Sequence, residues 1–145
     1  MSRWTKLQKE LYRIIDPNLN FQIHSVSYPM NSQRGTCNIP RYWITVDDKI
    51  IWDYPADFKD TPDIKSYPYE NAISSISELI REYIDTPEDQ LLDEKFVNDH
   101  WGLTDILRAS DRRIGKRRLR TLLLDIRNDA ASYIIRKRIL NSQYN

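Results

Sequence analysis

Residues 40–54 constrain the fold of this 145-residue chain more than any other stretch. Tyr42, Ile44 and Val46 recur at every second position, and so do Ile50, Trp52 and Tyr54. A period of two marks strands with one buried face, because successive side chains on a strand point to opposite sides. Asp47-Asp48-Lys49 separates the runs as a polar turn. A three-residue connection pairs Val46 with Ile50, Ile44 with Trp52 and Tyr42 with Tyr54, all on one buried face. A two-residue turn would instead set Trp43 opposite Trp52, and the apolar pattern favours the first register. A lone hairpin is marginal in water, so other segments must cover it.

Those segments read as follows. Trp4, Leu7, Leu11, Ile14 and Ile15 lie at helical spacing, and Pro17 ends a short amphipathic helix over 3–15. Residues 20–28 are rich in β-formers and predict a strand, followed by a polar loop from Pro29 to Asn38. An acidic stretch, Asp57 to Pro68, is expected to wrap the surface. Ile73, Ile76, Leu79, Ile80, Tyr83 and Ile84 then define a helix over 69–85. Thr86-Pro87-Glu88-Asp89 resembles a helix start, which predicts a short helix to about Phe96. Leu103, Ile106, Leu107, Ser110 and Ile114 keep one helical phase, while Leu119, Leu122, Leu123, Ile126 and Ala130 keep another. Gly115 sits at the slip, so a break is placed there; the second phase can run on through Ala131, Ile134, Ile135 and Ile139.

The resulting expectation is an α+β fold: one domain over 1–145, an antiparallel meander of about three strands packed with helices, and a helical, basic C-terminal third. Hydrophobic residues at 40% and charged residues at 30% fit a folded chain rather than a disordered one. A single cysteine, Cys37, offers no intramolecular disulfide. No apolar run reaches the length of a signal peptide or membrane span, so a cytoplasmic protein without a membrane partner is expected.

Charge is divided along the chain. Residues 101–145 hold eleven Lys/Arg and four Asp/Glu, whereas residues 1–100 hold eleven and seventeen. Much of the excess falls in Arg112-Arg113-Ile114-Gly115-Lys116-Arg117-Arg118-Leu119-Arg120. Arg112, Arg113, Lys116, Arg117, Arg118 and Arg120 are therefore candidate contacts for an anion or nucleic acid. A helix-turn-helix with Gly115 at its turn fits poorly: Asp111 would stand where a small residue packs, and Ser110 and Thr121 where apolar ones belong. No aromatic interleaves the basic run to stack a base. Pairing between the acidic and basic parts, within one chain or between two, accounts for the division equally well.

Catalytic and cofactor signals are thin. His24 and His100, the latter beside Asp99, lie far apart in sequence, and no metal-ligand spacing occurs. No metal, cofactor or catalytic residue is assigned. A metal-dependent nuclease using Asp53, Asp63 and Lys65 is a third reading, behind protein contact and nucleic-acid binding. Cys37 lacks a surrounding nucleophile motif. Arg41 and Trp43 lie off the apolar strand face and are candidate protein contacts, and Trp101 is expected to anchor the C-terminal helices.

Three stretches carry a resemblance: Arg41–Val46 with Ile50–Pro55, Ile80–Ile84, and Trp101–Arg108 running into Asp111–Leu119. Over residues 40–135 they resemble a family of small uncharacterised bacterial proteins, some associated with mobile gene cassettes. The resemblance implies a bacterial source and a compact protein, and supplies no activity. The expected function is a non-enzymatic interaction module, binding a protein partner or a second copy of itself as a homodimer.

Overall fold

The computed structural model describes the backbone of residues 3–32, 35–54, 75–97, 99 and 101–143. Helix α1 (Arg3–Ile14) leads into strands β1 (Phe21–Ser32), β2 (Gly35–Val46) and β3 (Lys49–Tyr54). Helices α2 (Ser75–Asp85), α3 (Leu103–Ser110), α4 (Lys116–Asp125) and α5 (Asp129–Gln143) follow, with a 3₁₀ turn at Glu88–Gln90. The strands form an antiparallel sheet in the order β1-β2-β3, so the α+β meander expected from the sequence is present.

The central hairpin joins both registers considered for it. Tyr42 faces Tyr54 and Ile44 faces Trp52, as the apolar pattern requires, but Val46 faces Lys49 across a two-residue turn. Asp47 and Asp48 both have positive φ (52° and 66°), the backbone of a type I′ turn, whose twist matches that of the strands. One extra residue in β3, beside the step from Ile44 to Thr45, restores the register as a bulge. Ile50 is consequently half exposed rather than buried, while Ile44 and Val46 are fully enclosed.

The loop expected over Pro29–Asn38 is instead a continuation of the β1–β2 ladder, out to Ser32 opposite Gly35. Cys37 thus lies in a strand, across from Met30. Among the described residues, β2 has no β3 neighbour before Tyr42. β1 is an edge strand of the described sheet, a place where proline is tolerated, which suits Pro29.

Helices α1 and α2 cover the apolar face of the sheet. Leu7 and Leu11 of α1, Ile23 of β1, and Ile76, Leu79, Ile80 and Tyr83 of α2 meet in one core with Leu103, Ile106, Leu107, Ile134 and Ile135. Trp4 sets its ring edge against Tyr42 at 5.5 Å, and the Tyr42 hydroxyl lies 3.1 Å from Ser77 Oγ. Gln8 donates to the Ile23 carbonyl and the Ile23 N–H donates to Tyr12 Oη, which tie α1 to β1.

The second helical phase divides where one continuous helix was expected. Residues 126–128 separate α4 from α5, and Asn128 Oδ1 accepts from the Ala131 N–H in the first turn of α5. Thr86, read as a cap for a following helix, donates instead to the Glu82 carbonyl and closes α2. With that hydroxyl engaged, the next segment forms only the 3₁₀ turn, without a side-chain cap. The acidic stretch expected to wrap the surface lies outside the described residues.

Candidate functional site

The basic residues fall into two groups with different fates. Arg113 and Arg138 turn inward and build a polar hub. Asp111, fully buried, accepts from Tyr83 Oη at 2.7 Å and from Arg113 Nη2 at 2.7 Å. Arg138 donates to Asp16 Oδ2 at 2.8 Å and to the carbonyls of Ala109, Asp111 and Ile114 at 2.9–3.0 Å. The guanidinium thereby serves backbone acceptors at the end of α3, where a helix leaves carbonyls unpaired. Two backbone bonds join the same region to the end of α1: Arg112 N–H to the Ile14 carbonyl and Asp16 N–H to the Ser110 carbonyl. Burial, reinforced by the neighbouring Asp111 carboxylate, pushes the Tyr83 hydroxyl well above its ordinary range.

The sequence marked Asp111 only as a misfit for a helix-turn-helix, and it did not mark Arg138. A signal was available, because Arg138 follows Ile134 and Ile135 on the apolar stripe of α5. Its place in phase with core residues requires a buried partner.

The other group faces outward on α4. Lys116, Arg117 and Arg120 are exposed, Arg112 is exposed just before the helix, and Arg118 is half-buried. Among the described residues no ion pair engages Arg112, Arg117, Arg118 or Arg120. Gly115 starts α4 in extended backbone without a side-chain cap, and the first turn contains no acid. Three cations at the positive end of a helix dipole oppose its field. Leu124 stands 86% exposed on the same face, one turn beyond Arg120 and two beyond Arg117. Beside this face, Arg118 lines an open groove of about 410 Å³ with Glu88 and Asp89.

The expected break at Gly115 is present, but α3 and α4 do not form a helix-turn-helix pair. Each packs chiefly against α5.

Arg41 and Trp43 sit together on the sheet face away from α1. Arg41 is buried and gives Asp53 two hydrogen bonds, 2.9 Å from Nε and 2.5 Å from Nη2. Its guanidinium also lies 4.7 Å from the Trp43 ring centre, and Trp43 stacks on His24 at 4.8 Å. Desolvation holds the His24 imidazole below its ordinary value, so it favours the neutral form. The charge of Arg41 is therefore already balanced by Asp53.

The same pair bears on the nuclease reading, since the Asp53 carboxylate is committed to Arg41. Asp63, Lys65 and His100 lie outside the described residues. Asp99, once a possible oxygen ligand beside His100, accepts from the Leu103 and Thr104 N–H groups and from Thr104 Oγ1, capping the start of α3. Among the described residues, no three His, Cys, Asp or Glu side chains gather as a metal site. Trp101 performs the anchoring expected of it: it is buried, its carbonyl accepts from Trp52 Nε1 at 3.0 Å, and its ring meets Tyr54 edge-on.

Fold and surface together define an α+β protein with a structural polar hub and an exposed basic helix. The chain belongs to the SF0329 protein family, whose model matches residues 3–139. No curated protein and no solved structure matches it. Among the described residues, no helix is long and apolar enough to cross a membrane.

Proposed function

We propose that the protein is a non-enzymatic interaction module that binds a protein partner through the outer face of α4. The observation that carries this reading is Leu124, 86% exposed beside Arg117 and Arg120. Such a residue gains nothing in the isolated chain, whereas an apolar anchor flanked by arginines suits a contact that excludes water. The cations in the first turn of α4 point the same way, because they weaken the helix they begin. Local choices that oppose the fold concentrate where function uses them.

Nucleic acid is the second reading, favoured by the exposed arginines alone. Two features count against it: carboxylates Glu88 and Asp89 border the basic face beside Arg118, and an exposed apolar residue, Leu124, continues that face at the end of α4. The resemblance to small bacterial proteins, some associated with mobile gene cassettes, supports a bacterial setting for the module.

A photo-crosslinking residue at Leu124 tests the proposal in the native host. The expected result is a protein adduct that disappears with Arg117→Glu and Arg120→Glu. Adducts confined to nucleic acid, or no adduct at all, would overturn it. Binding to phosphates would also show a steep fall in affinity with rising salt.

A further inference from the structure

We infer that the protein partner is a second copy of this chain, with the basic face of α4 on one copy against the acidic segment 88–94 of the other. This rests on the interaction-module reading above and names its partner. The segment presents Glu88, Asp89, Asp93 and Glu94, all exposed. It adjoins the basic face, because Glu88 and Asp89 form the wall of the groove that Arg118 completes. Two adjoining patches of opposite sign are self-complementary under a two-fold rotation. Each copy then offers its arginines to the other's carboxylates, and both halves of the contact are satisfied at once.

A bare apolar residue accompanies each patch. Leu124 lies on the basic face, and Val97, 81% exposed, follows the acidic segment. The two-fold arrangement gives each a counterpart to cover it. A polyanion would satisfy the arginines while meeting four carboxylates beside them, and it would leave Leu124 and Val97 bare. A second copy uses both signs of charge and both apolar groups. Only the second copy is chemically matched to the whole surface.

The test is sedimentation equilibrium on the full chain with a charge exchange. Wild-type protein should self-associate at low salt, and its dissociation constant should rise at least about tenfold at high salt as exposed charges are screened. Arg117→Glu with Arg120→Glu should be monomeric, and so should Glu88→Arg with Asp89→Arg, since each variant sets like charges together. Mixing the two should restore a one-to-one dimer, because both contacts again join opposite signs. Wild-type protein that stays monomeric at low salt and millimolar concentration would overturn the inference, as would a mixture that stays monomeric. The crosslink at Leu124 separates the two levels: an adduct with a different protein removes the second copy but keeps the module, whereas no protein adduct removes both.

Discussion

Replacing Arg138 with Met should cost this fold roughly 4 kcal/mol, by removing a donor set while keeping most of the side-chain volume. The guanidinium makes four hydrogen bonds: one to Asp16 and one each to the carbonyls of Ala109, Asp111 and Ile114. At about 1 kcal/mol net for each, the sum is near 4 kcal/mol. A second route, breaking a buried ion pair by removing one partner, gives about 3–5 kcal/mol. The two agree because both count the same stranded acceptors. For a chain of this size the loss corresponds to a fall in Tm of roughly 10–15 °C.

Arg138→Lys should lose about half as much, since an ammonium restores charge near Asp16 but cannot fork to three carbonyls. Urea denaturation followed by far-UV circular dichroism gives both values, with an unchanged slope confirming that only stability has moved. Because the Arg138 side chain is only 8% exposed, the difference should persist at high salt. If Arg138→Met loses less than about 1 kcal/mol, the hub does not hold α1, α3 and α5 together as argued.

Tyr83 supplies a pH dependence. Its folded-state value is raised, so its contribution is complete below the ordinary tyrosine range near pH 10. Stability should then fall as pH rises toward the folded value, because only the unfolded chain ionises. Tyr83→Phe should remove that alkaline limb while lowering stability near neutrality by about 1–2 kcal/mol, measured by denaturation across pH. The glycines should respond oppositely. Gly102 has φ of +71°, and a Cβ there would stand 2.8 Å from Asn128 Nδ2, so Gly102→Ala should cost about 2–3 kcal/mol in thermal denaturation. Gly115 has open space and starts α4, so Gly115→Asp should add a few tenths to about 1 kcal/mol by capping it and offsetting the nearby cations. His24 should titrate below its ordinary value by NMR, and Trp43→Ala should move it back toward that value by exposing the ring.

Legibility followed the range of the interactions concerned. The helical stripe of α2, the strand pair around Ile44 and Trp52, and the break at Gly115 were visible because each expresses a local period or its interruption. The exact turn was not, since a type I′ turn with a bulge and a three-residue loop satisfy nearly the same apolar pattern. The β1–β2 extension past Tyr28 was hidden for a different reason. Its prolines and polar residues read as loop, because a ladder held by backbone hydrogen bonds leaves no apolar alternation in the sequence. Of the candidate site, the basic run was plain, but its division into buried and exposed members depended on neighbours distant in sequence.

The order of the three strands and of helices α1, α2 and α3, and the location of the basic third, follow from sequence alone. Periodicity decides which residues are able to share a face, and composition decides which segments carry charge. Tertiary structure alone decided that Arg138 meets Asp16 across 122 positions, that Arg41 spends its charge on Asp53, and that Arg117, Arg120 and Leu124 remain outside. The physical reason is that charges act through space and solvent exposure. Neither quantity exists until the helices have packed.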